Sequence, residues 1–287
     1  MVGFAPGGAT DIAFRAIAEQ AARYLGQPVI VDPRPGAGAT LPAQYLQSAH
    51  PDGYTIAHIG VGIYRLPYTT KLAWDPFRDI VHVVRLGGYP LGAFTVANGP
   101  MQGWADLAAR ARHEPGAVPY GTGGQLTASH VTMELVCERL GLRMNHIPYR
   151  GGTEVRQALL SGLLAAGVDA IGPQHVSSGQ FKVLCIWTER RQPSIPDVPT
   201  LIELGVPIVE TSSYGIGAPR GTPAAVVARL HDAFKYALEQ PVVQEVFARE
   251  GLLPQYLDSA AYLDSVQRQY ANERKTLERL GLVPAST

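Results

Sequence analysis

The apolar positions of the chain alternate repeatedly between strand and helix periods. Near the start a short run, Val2-Gly3-Phe4, is followed by Pro6-Gly7-Gly8, and then Phe14, Ile17, Ala18, Ala21, Tyr24 and Leu25 recur at helical spacing. The pattern predicts a strand, a tight turn and a helix that Thr10 caps and Gly26 ends. A second apolar run over 28–31 completes a strand-helix-strand unit. Gly36-Ala37-Gly38 then opens a helix reaching 48, and the turn Pro51-Asp52-Gly53 leads into a strand over 54–60. Strand-like runs at 81–86 and 93–96 precede the turn Asn98-Gly99-Pro100-Met101, where the chain is expected to enter a second lobe.

That lobe repeats the alternation: strand 118–121, helix 127–140, strand 144–147, helix 153–160 and strands 167–171 and 183–188. Residues 213–217 are expected to carry the chain back, followed by helices over 222–238, 241–250 and 260–280. Alternation without hairpin signals predicts an α/β protein of two lobes, each a mostly parallel sheet flanked by helices. Lobe 1 is read as residues 1–97 plus 215–287 and lobe 2 as 98–214, with a hinge near 96–98 and 214–217.

Three glycine-rich stretches carry the candidate chemistry. In the first, Gly7 and Gly8 let the backbone approach a ligand, and the free N–H groups of the following helix start favour an anion. Tyr120-Gly121-Thr122-Gly123-Gly124-Gln125-Leu126-Thr127 repeats this chemistry with two hydroxyls, and Pro148-Tyr149-Arg150-Gly151-Gly152 adds an aromatic wall with a donor. Gly60-Val61-Gly62, at the carboxyl end of a strand, is a further candidate wall. The plainer readings are a simple connector for Pro-Gly-Gly, a surface pair for Arg150, solvated loop positions for Tyr64 and Arg65, and a packed or capping residue for His130.

Four blocks fix a resemblance: Phe4-Ala5-Pro6-Gly7-Gly8-Ala9-Thr10-Asp11, Leu25-Gly26-Gln27-Pro28-Val29, Arg34-Pro35-Gly36-Ala37-Gly38 and Pro51-Asp52-Gly53-Tyr54-Thr55. In order and spacing they resemble the substrate-binding proteins of tripartite tricarboxylate transporters, the Bug family. Leu72-Ala73-Trp74-Asp75-Pro76-Phe77-Arg78-Asp79 and Pro196-Asp197-Val198-Pro199-Thr200 are similar to family blocks too. The resemblance implies a type II-like periplasmic binding protein that captures a small carboxylate between its lobes, performs no catalysis and delivers the ligand to membrane permease subunits. It implies a monomer with no cofactor and no metal. The implied ligand-binding residues are Phe4, Pro6, Gly7, Gly8, Asp11, Gly60 and Val61 from lobe 1, with Thr122, Gly124, Thr127, Tyr149, Gly151 and Asp169 from lobe 2.

One departure stands out. Many members follow the helix with Gly-x-Val-Asp, whereas this chain has Gly162-Leu163-Leu164-Ala165, and the nearest acid is Asp169. Asp169 either takes over the missing acid's work or caps the loop. The chain also opens inside what should be the first strand, with Met1 directly before Val2, so a truncated or engineered start with the leader removed is expected.

Composition narrows the alternatives. Charged residues make up 17% of 287 and balance to zero, which leaves no basic field for nucleic acid. No apolar run reaches the roughly 18–20 residues of a membrane span. Cys137 and Cys185 lack metal-ligand spacing and read as buried thiols. There is no phosphate-binding G-x-x-x-x-G-K-[ST], and the Gly36-x-Gly38 and Gly121-x-Gly123 pairs lack the third glycine of a dinucleotide fingerprint. Thr211-x-Ser213-x-Gly215 lacks the first glycine of a nucleophile elbow. A ligand-presenting receptor for a sensor partner, or an anion-handling transferase on a similar scaffold, are the alternatives.

Overall fold

Helix α1 (Ala9–Leu25) forms where the apolar period places it, and Gly26 ends it in the left-handed conformation (φ 70°), its amide on the Ala22 carbonyl. Its apolar stripe, Ala13, Phe14, Ile17, Ala18 and Ala21, is buried, and the helix packs against the helix Ala224–Leu238. Thr10 is not the cap: Gly8 holds that position and Thr10 lies inside the helix. The computed structural model describes residues 1–172, 177–271 and 273–283.

The chain forms two compact units, Met1–Gly88 with Ser213–Ala248 and Leu253–Thr287, and Tyr89–Ser212 with Arg249–Leu252. The first change of unit falls inside a strand, between Gly88 and Tyr89, whereas the sequence reading placed it at the turn after residue 97.

In the first unit, β1 (Ala57–Gly60) pairs antiparallel with β7 (Thr211–Pro219), with Ile59 opposite Gly215. β7 neighbours β2 (Ile80–Val96), and β8 (Leu253–Leu257) pairs antiparallel with β2 at Arg85, Gly87 and Gly88. The expected strands at 2–4 and 28–31 reduce to one parallel bridge, Val2 with Pro33. Pro28, Pro33 and Pro35 have no N–H to give a ladder, and Ile30 is 82% exposed. The predicted helix over 36–48 is a left-handed turn at Ala37–Ala39, the short α2 (Leu41–Tyr45) and a 3₁₀ turn to Ser48. After β1 comes α3 (Gly62–Arg65), and the expected helix 260–280 is two helices, Ser259–Tyr270 and Glu273–Arg279.

In the second unit, α4 (Trp104–His113) leads to three parallel strands, with β3 (Pro119–Thr122) between β4 (Asn145–Pro148) and β5 (Ala166–Ala170). Helix α5 (Ala128–Leu140) joins β3 to β4, and α6 (Gly152–Leu160) joins β4 to β5. Those are the βαβ units the alternation predicts. The far half of β2 pairs antiparallel with both β5 and β6 (Phe181–Ile186). The core here gathers Phe94, Val155, Leu159, Leu164 and Ile186. The α/β class holds, but strand directions are mixed instead of mostly parallel: β2 runs against β5, β6 and β8, and β1 against β7, pairings of long sequence separation that local alternation does not register.

Candidate functional site

The first unit brings three loops together through missing side chains. A Cβ on Gly3 would sit 2.7 Å from the Ala39 carbonyl oxygen, and one on Gly62 would sit 3.1 Å from the Gly38 carbonyl oxygen. The segment 37–39 is thus wedged between the opening turn and the turn after β1, with Ala37 (φ 47°) and Ala39 (φ 65°) in the left-handed region that L residues avoid.

Gly7 (φ 81°) makes the turn, and its amide donates to Asp11 Oδ2 at 3.0 Å. Arg15 Nε donates to the same oxygen at 2.9 Å. Burial raises the Asp11 pKa, but the Arg15 and Gly7 hydrogen bonds outweigh it and hold the carboxyl below its ordinary value. Asp11 therefore braces the turn from inside. Gly8 carries open space, its nearest neighbour to a built Cβ being the Ala5 carbonyl at 3.7 Å. Pro6 is exposed at the tip, and Val61 is buried.

Phe4 and Gly60 meet on His58, which the sequence reading did not single out. The ring of Phe4 stands edge-on to His58 at 5.6 Å, Phe14 at 5.4 Å, and Tyr214 lies tilted at 5.9 Å. A Cβ on Gly60 would come within 3.1 Å of His58 Cε1. His58 is 1% exposed, and neither ring nitrogen has a hydrogen-bond partner among the described residues. Burial and the nearby N-terminal ammonium push its pKa down to about 3, so the imidazole is neutral. Tyr64 and Arg65, expected to be solvated, are buried and face the C-terminal helices: Tyr64 stacks on Tyr270, and Arg65 pairs with Glu273.

In the second unit the three parallel strands deliver their carboxyl ends side by side, so Thr122, Tyr149 and Asp169 follow from one geometry. Tyr149 donates its amide to the Thr122 carbonyl at 2.9 Å, and its ring lies against Gly121, where a Cβ would be 3.1 Å away. Gly151 (φ 153°) precedes α6, and a Cβ on Gly152 would collide with Asp169 Oδ2 at 2.3 Å. Gly123 faces the same Asp169 oxygen and the Gly151 Cα. Asp169 Oδ1 accepts the Ala170 amide at 2.8 Å, and burial raises its pKa against the pull of that bond and of Arg156. Ala165, in the usual acid's place, is buried, donating its amide to Pro119 and accepting from Thr95.

Both hydroxyls of the 122–127 loop are engaged within it. Thr122 and Thr127 donate to the Gly124 carbonyl at 3.0 and 2.9 Å, and Thr127 caps α5 by accepting from the His130 amide. His146 Nε2 lies 2.7 Å from Thr122 Oγ1 and is the second histidine that sequence reasoning passed over. Arg150 is exposed, and its amide is taken by Glu154. Among the described residues no three His, Cys, Asp or Glu side chains group as metal ligands.

Each unit therefore presents glycine-lined backbone at a helix start, with no ammonium group in the loops. The family profile described as "Tripartite tricarboxylate transporter family receptor" matches residues 13–282. The chain belongs to that family. It is 42% identical to the "UPF0065 protein in gbd 5'region" of Cupriavidus necator over 287 residues, 99% of this chain and 88% of the relative. Among solved structures it resembles MatC from Rhodopseudomonas palustris with bound malate (29% identity, TM-score 0.88, 96% of this chain and 97% of that one). It also resembles an R. palustris protein solved with adipate (26% identity, TM-score 0.91, 99% and 97%). The two-unit α/β architecture is the fold of these solute-binding receptors.

Proposed function

We propose that this protein is a periplasmic receptor for a small dicarboxylate, which it takes with the turn at residues 4–8 and the loops at 122–127 and 149–151 and hands to the permease of a tripartite transporter. The observation that carries the reading is the convergence of the β3, β4 and β5 carboxyl ends on glycine-backed loops at the starts of α5 and α6. Such helix starts stabilise an anion without a lysine, by about 0.3–1 kcal/mol each when exposed and up to ~2 when partly buried. The loops 4–11, 120–130 and 148–152 contain no lysine and one arginine, Arg150, so backbone donors, the Tyr149 hydroxyl and water do most of the recognition. That composition suits one or two carboxylates and disfavours a polyphosphate. Malate in MatC and adipate in the R. palustris protein are both dicarboxylates, which sets the class to try first.

The test is isothermal titration with malate, adipate, benzoate and inorganic phosphate, beside native mass spectrometry of gently purified protein. Saturable binding of a dicarboxylate, without the continuing heat of turnover, is expected. Binding of phosphate alone, or of none of the four with no co-purified acid, overturns the reading.

A further inference from the structure

One helix start in the second unit already holds an anion of the chain's own. Asp169, near the carboxyl end of β5, lays Oδ2 against Gly152, the first residue of α6, where a Cβ would stand 2.3 Å from that oxygen. Gly123 and Gly151 keep the other side bare: a Cβ on Gly123 would lie 3.4 Å from the Gly151 Cα and 3.7 Å from the same Oδ2. Three glycines thus hold side chains away from one acceptor atom.

The two oxygens of Asp169 are unequal. Oδ1 accepts the Ala170 amide at 2.8 Å, whereas Oδ2 accepts no hydrogen bond from the described residues. Arg156 attracts the group through space, yet burial outweighs that pull and the Ala170 bond and raises the pKa, as befits a carboxylate short of donors.

The neighbouring loop does not lend its hydroxyls. Thr127 spends its proton on the Gly124 carbonyl at 2.9 Å. Thr122 spends its own on that carbonyl at 3.0 Å or on His146 Nε2 at 2.7 Å, a ring stacked on His130 with centroids 3.7 Å apart. The amides of Gly124, Leu126, Tyr149 and Arg150 are likewise taken within the unit. Whatever meets Oδ2 must therefore bring a proton of its own. A ligand carboxylate placed there would be repelled, while a hydroxyl or an ammonium donates to it.

We propose that Asp169 is a specificity-determining residue: the ligand is a small carboxylate that also carries a hydroxyl or amino group, and that group donates to Asp169 Oδ2. The inference rests on the carboxylate reading and narrows it. Malate has such a hydroxyl; succinate, the same chain without it, and adipate do not. An analogue lacking the donor loses a charge-assisted hydrogen bond and leaves Oδ2 desolvated and unpaired, a discrimination of about 10–100-fold.

Isothermal titration of the parent, Asp169→Ala and Asp169→Asn with both enantiomers of malate, with aspartate and with succinate tests this. The parent should bind one malate enantiomer or aspartate about 10–100-fold more tightly than succinate. In Asp169→Ala the ratio should fall to within about threefold, the donor-bearing ligand weakening while succinate holds or gains, because a like charge has gone. A carboxylate that only shapes the loop would weaken every ligand together. No preference over succinate in the parent, or equal losses in Asp169→Ala, overturns the proposal and leaves the carboxylate reading standing.

Native mass spectrometry adds a readout independent of the chosen probes. A co-purified acid should carry a hydroxyl or an amine, and one with neither overturns the proposal. If no acid binds or co-purifies, the carboxylate reading itself fails and this inference falls with it. Should Asp169→Ala not fold by circular dichroism, the near-isosteric Asp169→Asn, which trades the charged acceptor for an amide, must show the same loss of ratio.

Discussion

Arg65 donates both Nε (2.9 Å) and Nη2 (2.6 Å) to one oxygen of Glu273, a partner 208 residues away in the chain. The side chains are 3% and 11% exposed, and the Arg65 guanidinium also lies 5.4 Å over the Tyr270 ring. This pair ties the segment after β1, which bears Gly60 and Val61, to the C-terminal helices. Removing one partner of a buried pair strands the other's charge at a cost of about 3–5 kcal/mol, whereas replacing both by apolar groups of similar size is often neutral. Arg65→Met should therefore lower urea stability by that amount, and the double variant Arg65→Met with Glu273→Leu should recover most of it. Equal losses in the single and double variants would mean that packing, not charge pairing, holds the segment.

Acid should destabilise the protein through buried neutral histidines. Burial, with the N-terminal ammonium, lowers His58 to about 3, and burial lowers His82 to about 4, from the 6.5 of a free imidazole. Because the folded pKa is depressed, the unfolded chain binds more protons below 6.5, so this stability is present above 6.5 and drains away as pH falls toward 4. Each fully buried group costs about 1.4 kcal/mol per pH unit in that window. His58→Leu keeps the volume and removes two buried nitrogens that have no partner among the described residues, so its denaturation midpoint at neutral pH should equal or exceed the parent's. Its stability should also fall less steeply with acid, by about 1.4 kcal/mol per pH unit. A parental slope in the variant would show that His58 is not buried neutral.

Local signals in the sequence were read well where local physics decides the structure. Gly26 and Gly141 stop α1 and α5 at φ 70° and 62°, as helix-ending glycines do, whereas the caps were less legible: Thr127, expected inside its helix, caps α5, and Thr10, expected as a cap, lies inside α1. What stayed hidden depends on partners distant in sequence. Gly87-Gly88-Tyr89-Pro90 reads as a break, yet it continues β2, because the bare α-carbons of Gly87 and Gly88 accept the close approach of Leu253 and Gln255 from β8. The Arg65–Glu273 pair and the His130–His146 stack likewise join residues with no periodic relation. Ala37 and Ala39 carry strain that glycine would have announced and alanine does not. In the candidate site the loops were legible as glycine and hydroxyl clusters. Their backing residues, His58 and His146, were not, since a lone histidine in a strand gives no signal until its neighbours are placed.

Gly152 should be intolerant of even a methyl group. The built Cβ lies 2.3 Å from Asp169 Oδ2, 3.3 Å from Asp169 Cγ and 3.3 Å from Arg156 Nη1, so alanine must push the carboxylate out of its seat between Gly123 and α6. Overpacking of this kind costs about 1–3 kcal/mol. Gly152→Ala should melt lower than the parent and bind malate or adipate more weakly. The double variant with Asp169→Ala should regain stability but not affinity if Asp169 shapes the site. Recovery of both would leave Asp169 as a loop cap with no part in binding.

Gly7 and Gly8 stand side by side, yet substitution should separate stability from binding between them. Gly7 sits at φ 81°, so a β-branched residue there is strained whatever the space around it. Gly7→Val should lose about 1–3 kcal/mol of stability. Gly8, at φ −81° and ψ 166°, already has the extended geometry valine prefers, and its Cβ would meet only the Ala5 carbonyl at an ordinary 3.7 Å. The expected cost of Gly8→Val is the poorer helix cap, at most about 1 kcal/mol, and Gly8→Ser, which supplies a capping hydroxyl, should cost nothing. The isopropyl group would nevertheless stand over the first N–H groups of α1, the place the proposed carboxylate needs. Gly8→Val should then keep a near-parental melting temperature and show no thermal shift with malate or adipate, while Gly7→Val melts lower. A full ligand-induced shift in Gly8→Val would make the Pro6-Gly7-Gly8 turn a plain connector and move the anion away from the start of α1.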